Sequence, residues 1–355
     1  MKKKVCIIYT GGTIGMMPTE NGYAPDPLAF PRVMDRIHDV NLPDFPDYEI
    51  VSLPQLLDSS DITYKEWNEI GGIIYDRYDD FDGFVVLHGT DTMAYTASAM
   101  SFMLEGLNKP VIFTGSQIPL CRVRSDGIDN LVTSILVASA GRVNEVCLYF
   151  GGKLMRGNRV TKISANGLAA FASPNYPRLA DIGTDIVYRE KHIRKTNGAR
   201  LTLQKIGRVP IAVIKIFPGI QYELFESVIS GGNMKGVVIE AFGAGNIPNS
   251  ESLESILKAA QDNGVILAVC SQCNNGNVKI GAYAASSYLH RAGALSGHDM
   301  TTEAAVAKLY YLFSKYDDVE TIKTLMETDL SGEISSEEEL SSDENDRIDA
   351  TEQSI

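Results

Sequence analysis

The chain has 355 residues, 44% hydrophobic and 22% charged, enough to bury a full core in about two domains. Its formal net charge is −13, but Ser331–Ile355, with nine acidic residues and one arginine, supplies −8, leaving the body nearly balanced. Apart from a short basic run at Arg189–Arg200 there is no basic stripe, which argues against a nucleic-acid binder, and no apolar stretch approaches the ~18 residues of a membrane-spanning helix.

The first element is the apolar run Val5–Tyr9 behind MKKK. It is shorter than the ~7–15 residue core of a secretory signal and no small-residue cleavage site follows, so it reads as the first strand of a cytoplasmic protein. Cys6, Cys121, Cys147, Cys270 and Cys273, odd in number and scattered, fit reduced thiols in the same compartment. The strand runs into TGGTIG, Thr10–Gly15. Two glycines allow a sharp turn and a close approach of backbone to a ligand, which leaves Thr13 as a candidate nucleophile on a mobile loop. The blander alternative is that Thr13 caps a helix starting at Ile14. Gly11, Gly12 and Gly15 fit neither G-x-G-x-x-G nor G-x-x-x-x-G-K-[ST], so no nucleotide site is expected.

Thr63 with Glu66 forms a capping-box pattern, and Ser59 and Ser60 stand just before it. Phe84–Leu87, Val111–Phe113 and Val146–Phe150 are short runs of β-branched or aromatic residues, predicted as strands buried on both faces. Between them, Thr92–Leu107 and Ile128–Ala140 repeat apolar residues at helical spacing. The alternation predicts an α/β protein of two α/β domains. The larger, residues 1–190, has a mostly parallel sheet with helices on both faces. A linker at 191–209 follows, with Arg189–Arg200 as a solvated hairpin. Strands at Ile211–Ile216, Val237–Ile239 and Val265–Val269 and helices at Leu253–Ala260 and Thr302–Ser314 build a smaller C-terminal domain, 210–330. Residues 331–355 read as an acidic disordered tail whose deletion leaves activity intact. No repeat of fixed period is visible.

Three predicted strands end in small and hydroxyl residues: CIIY-TGGT, VVLH-GTDT and VIF-TGSQ. Ligands of open parallel sheets bind beyond the carboxyl ends of strands, so the three loops are expected to share one cleft. A hydroxyl becomes nucleophilic when a base takes its proton and a third group orients that base. Thr90 and Asp91 lie just before a helix, where backbone N–H groups are placed to hold developing negative charge. Lys162, in RGNRVTKISANG, is a candidate base: against an apolar wall an ammonium loses its proton near neutral pH. Its bland alternative is a surface lysine. His88, at the end of an apolar strand, reads as a satisfied structural residue. Cys270-Ser-Gln-Cys273 has C-x-x-C spacing but no second pair or histidine spacing to complete a zinc site, so no metal is expected.

TGGTIG, DSSDIT at Asp58–Thr63, HGTDTMAYTASAMSFML from His88, TGSQIP from Thr114, and RGNRVTK with AFASPNYP together resemble the bacterial type I, cytoplasmic L-asparaginases, from about Lys4 to about Gly332. The resemblance implies hydrolysis of L-asparagine to L-aspartate and ammonia through a threonine nucleophile and a covalent acyl-enzyme, without a cofactor. It makes Thr13 the attacking residue, with Tyr23 as its partner on the flexible loop, and Thr90, Asp91 and Lys162 the second hydroxyl, acid and base. Ser59, Ser60 and Asp91 would hold the substrate's α-carboxylate and α-ammonium. Without the resemblance, Tyr23 is equally a loop anchor. The resemblance also implies a homodimer or homotetramer. Some type I relatives respond to asparagine at a second site, around segments equivalent to IEAFGAGN and VCSQC, with a basic residue where this chain has Glu240. At such an effector region, Glu240 with Cys273, an acid repels an amino acid's carboxylate, so any response is expected to be altered or absent.

Three alternatives stay open: a broader glutaminase-asparaginase, since one methylene is worth only ~1–3 kcal/mol; the amidotransferase subunit acting on misacylated tRNA, whose extra N-terminal domain finds no room before residue 10; and a non-catalytic small-molecule-binding protein of the same fold.

Overall fold

Strands covered on both faces are apolar at every position rather than every second one, and Val5–Tyr9, Phe84–Leu87, Val111–Phe113 and Val146–Phe150 are buried throughout. The computed structural model describes residues 2–339 apart from 21, 27, 28, 197, 227, 228, 230–232, 249, 282–286, 337 and 338. Among the described residues these runs form the centre of an eight-stranded sheet. Its order is Ile186–Tyr188, Ala180–Ile182, Lys153–Arg156, Val146–Phe150, Val111–Thr114, Gly83–Leu87, Lys4–Gly11 and Asp47–Leu57. Pairing is parallel from Asp47–Leu57 to Val146–Phe150 and antiparallel beyond. The reversal has a local cause: Gly151 and Gly152, at φ 56° and 80°, form the two-residue connection that a tight hairpin requires. Asp47–Leu57, which no sequence signal marked, contains Pro54 and sits at the sheet edge, where a missing N–H is tolerated. Helices Met93–Met103 and Gly127–Ala140 pack on the sheet.

The chain divides into two compact units, one running to Ser173 and including Arg178–Ile206, the other containing Pro174–Pro177 and continuing from Gly207. The expected linker is therefore packed on the first unit through Ile206. Its basic run is no solvated hairpin, because His192 and Ile193 are buried. A buried ion pair draws the segment in: Arg156 Nε lies 2.6 Å from Glu145 Oε2, and the remaining polar positions of the pair are met by His192 O at 2.9 Å and Arg194 N at 2.9 Å. Thr202–Leu203 then pairs with Leu104–Glu105, and Asn68 binds both polar groups of the Ile206 backbone.

The second unit holds a parallel sheet in the order Ile211–Lys215, Gly236–Ala241, Ile266–Ser271 and Leu295–Ser296, with helices Glu251–Asp262, Thr302–Lys315 and Val319–Met326. Val237, Ile239, Leu257, Leu267 and Val269 are in its core. Gly332, Glu333 and Ser335, expected within the disordered tail, are buried. Glu333 and Lys308 have side chains 0% exposed and lie 2.6 Å apart. Lys308 also donates to Met326 O and Thr328 O, while Glu333 accepts from the amides of Leu330 and Ser331. Ser335 N donates to Asp299. Acidic composition over a window hides a carboxylate that has a buried partner. The rest of the tail, 340–355, lies outside the described residues.

Ending the chain at Gly332 strands the Lys308 charge in the interior and is expected to cost about 3–5 kcal/mol in urea unfolding, whereas ending it at Glu339 leaves the midpoint near that of the full chain.

Candidate functional site

At the carboxyl end of the first strand, Gly11 and Gly12 have φ of 117° and 77°, a region costly for residues with a side chain. A Cβ on Gly12 would lie 2.4 Å from Gly89 N, one on Gly11 2.3 Å from Leu57 O, and one on Gly89 2.6 Å from Ser59 Oγ. Three loops thus meet at backbone contact. Thr13 opens a single 3-10 turn, Thr13–Gly15, whose cap position is Gly12, so no helix starts at Ile14 and Thr13 caps nothing. Its hydroxyl has no hydrogen-bond partner among the described residues.

Other strand-end hydroxyls are spent on structure. Thr10 donates to Leu87 O and Thr114 to Tyr149 O, both at 2.9 Å, tying neighbouring strands together. Thr90 differs. Its Oγ1 lies 2.8 Å from Lys162 Nζ and 3.3 Å from Gln117 Oε1. Lys162 sits on the short strand Thr161–Lys162, paired with Phe171–Ala172, and its ammonium also lies 2.6 Å from Asp91 Oδ1. The lysine meets a carboxylate and a hydroxyl, its side chain 18% exposed against 65% for Asp91.

Ser59 is buried, and its carbonyl accepts from Thr92 Oγ1 at 2.6 Å. Ser60 is exposed and its hydroxyl donates to Asp58, which caps the turn Ser59–Asp61. The capping box of Thr63 and Glu66 is present at the start of Tyr64–Asp76. Tyr23, on the strand Gly22–Pro25, is 42% exposed and accepts from Arg122 Nη1 at 3.1 Å. Neither Thr13 nor Tyr23 hydrogen-bonds to the lysine group.

Profiles for the N-terminal asparaginase domain and for the C-terminal glutaminase/asparaginase domain match residues 4–194 and 210–326. The chain belongs to the asparaginase family. L-asparaginase 1 of Escherichia coli K12 is 43% identical over 94% of this chain and 98% of its own. The 60 kDa lysophospholipase of Mus musculus is 38% identical over 94% of this chain and 63% of its own. The crystal structure of L-asparaginase I from Vibrio cholerae, 41% identical, superposes with a TM-score of 0.88 over 95% of this chain and 100% of that one.

In this asparaginase-family chain the structure adds residues that the sequence reading passed over. Gln117 joins Thr90 and is held by its amide groups to Ala165 O, Gly167 O and the Asp126 carboxylate. Gln117 lies within TGSQIP, where no local pattern distinguishes it from its neighbours. Arg122 on Tyr23 carried no signal. In the second unit, Glu240 accepts from Thr302 Oγ1 at 2.8 Å and lies 3.8 Å from Lys215 Nζ, so its charge is already partnered within the chain. Cys273 is exposed, its amide bound to Ser271 Oγ. Cys270 is buried, and burial pushes its thiol up to about 12, the opposite of a reactive pair. Among the described residues no cluster of three metal-ligating side chains occurs.

His88 is a satisfied interior residue: Nδ1 lies 2.7 Å from Gly89 O and Nε2 2.9 Å from Thr96 Oγ1. Burial pushes its pKa down to about 4. Between the unfolded value and that depressed one, the unfolded chain binds a proton that the native ring refuses, so stability is full above pH ~6.5 and falls as pH drops toward 4. Between pH 7 and 4.5 the native chain is expected to lose roughly 2–3 kcal/mol more unfolding free energy than His88→Asn, measured by urea titration.

Proposed function

We propose that this protein hydrolyses L-asparagine to L-aspartate and ammonia, with Thr13 as nucleophile and Thr90, Asp91 and Lys162 as the proton-handling group. The contact that carries this reading is Lys162 Nζ at 2.8 Å from Thr90 Oγ1 and 2.6 Å from Asp91 Oδ1. An amine, a hydroxyl and a carboxylate so joined pass a proton between solvent-exposed and buried ends of one chain.

The substrate's α-ammonium docks on the exposed Asp91 carboxylate, with Ser59 and Ser60 near the α-carboxylate. At Asp91 the incoming ammonium competes with Lys162 for the same carboxylate. Thr13 Oγ attacks the side-chain amide carbon, with Tyr23 as its partner for the hydroxyl proton. The tetrahedral oxyanion is held by backbone N–H groups at the start of the Thr90–Asp91 segment. The proton lost by Thr13 is handed on through Lys162 and Thr90 to the departing nitrogen, ammonia leaves, and an ester on Thr13 remains. Water activated by the same lysine then splits that ester and releases aspartate.

Several further features go with this reading. The resemblance brings a cytoplasmic homodimer or homotetramer, and among the described residues no helix is long and apolar enough to cross a membrane. Glutamine is expected as a poorer substrate, about 10–200-fold slower by the worth of one methylene. With Glu240 holding Thr302 and Lys215, a second amino acid finds an acid already occupied, and the rate is expected to rise hyperbolically with asparagine. Sigmoidal kinetics removed by Glu240→Ala or Cys273→Ala would overturn that.

Ammonia release from L-asparagine, D-asparagine and L-glutamine decides the activity. Thr13→Ala and Lys162→Met are each expected to lower kcat about 1,000-fold or more. A Thr13→Ala chain with undiminished turnover transfers the attack to Thr90, and binding without ammonia from any substrate marks a binding protein.

A further inference from the structure

Beneath the site lie three buried polar side chains joined head to tail. Trp67 Nε1 is 3.0 Å from Thr96 Oγ1, Thr96 Oγ1 is 2.9 Å from His88 Nε2, and His88 Nδ1 is 2.7 Å from Gly89 O. Thr96 and His88 are fully buried and Trp67 nearly so. Their chemistry orients every proton. An indole N–H only donates and a carbonyl only accepts. Thr96 therefore receives from Trp67, and the His88 ring carries its hydrogen on Nδ1. Burial keeps that ring neutral, so Nε2 has a lone pair and accepts the Thr96 proton. The chain of bonds runs in one direction and ends on the Gly89 carbonyl.

Gly89 has no side chain by which packing could hold its peptide plane. In a trans peptide the carbonyl of one residue and the N–H of the next point to opposite sides. With Gly89 O drawn inward to His88, the Thr90 N–H is turned outward, and that N–H has no hydrogen-bond partner among the described residues. The same residue carries the hydroxyl contacted by Lys162 and Gln117. Phe113 closes the other side of the imidazole, its ring edge-on with centroids 6.1 Å apart.

We infer that His88, held by Thr96 and Trp67, is a positioning residue for the hydrolysis: it fixes the Gly89–Thr90 peptide so that the Thr90 amide and hydroxyl both face the substrate. This rests on the asparagine-hydrolysing reading and adds to it a group that never touches substrate. Thr96, which also lies 3.4 Å from Thr92 O, and Trp67 bear on the peptide through His88, so the effect of removing each falls with its distance from the carbonyl.

The test uses the full chain. With five histidines in the sequence, nitrogen-labelled imidazole signals resolve individually, and His88 is expected to show a protonated Nδ1 and an unprotonated Nε2 from pH 8 to 5. His88→Leu is expected to lower kcat on asparagine about 100-fold with KM within about twofold, the scale of a misplaced reacting group. His88→Asn, which returns an N–H near the Nδ1 position, recovers about tenfold of that loss. Thr96→Val, which keeps shape but removes the proton donor, costs about tenfold, and Trp67→Phe less. Thermal midpoints separate misfolding from misplacement, and Thr96→Val remains informative should His88→Leu fail to fold. A proton on Nε2, or native kcat in folded His88→Leu or Thr96→Val, overturns the inference. If the native chain releases no ammonia, the parent reading falls and the positioning role with it, whatever the tautomer.

Discussion

The site depends on one steric fact: the backbone of the first strand's loop touches the backbone that follows the third, with less room between them than a methyl group needs. Gly12 against Gly89 leaves 2.4 Å where a Cβ would stand, and Gly89 against Ser59 leaves 2.6 Å. Only chains without side chains approach so closely. That contact sets Thr13's turn beside the segment bearing Thr90 and Asp91. The glycines also decide which conformation the loop takes, since φ of 117° and 77° closes those positions to most other residues without strain.

Two lysine–carboxylate pairs show how burial separates structural from chemical use of the same groups. Lys308 and Glu333 are sealed, and each is further bound by backbone, so the pair serves to anchor the residues around Glu333. Lys162 and Asp91 are the reverse. The carboxylate is largely in water and can trade its lysine for another cation, while the amine behind it touches a hydroxyl. A desolvated pair costs several kcal/mol when one partner is lost, whereas a half-exposed pair breaks cheaply enough for a ligand to do it.

The same division runs through the hydroxyls. Thr10 and Thr114 bridge adjacent strands, Thr92 binds Ser59 O, and Thr96 is the link between an indole and an imidazole. These fix the frame. Thr13 alone of the TGGT threonines keeps an unengaged hydroxyl, and Thr90 shares its own with an amine and an amide. A site built this way concentrates its few unspent donors where three rigid loops converge, so the positions of those donors follow from the strands and not from long flexible side chains.

The central strands of both sheets, four of the helices and the capping box were readable in the sequence because each rests on neighbours within a few residues: a run of β-branched side chains, a helical apolar repeat, a hydroxyl three positions before a glutamate. The glycines of TGGTIG and the threonines after them likewise announced a tight turn carrying reactive groups. What lay beyond reach was whatever depends on a partner far along the chain. Lys162 finds Thr90 across 72 residues and Asp91 beside it, and Glu333 finds a buried lysine despite acidic surroundings. The segment 191–206, polar by composition, is drawn in by a buried arginine and glutamate. Local pattern determines which element a stretch can form. Only the folded chain decides which polar groups lose their water together, and that shared desolvation gives a lysine, a histidine or a glutamate its role.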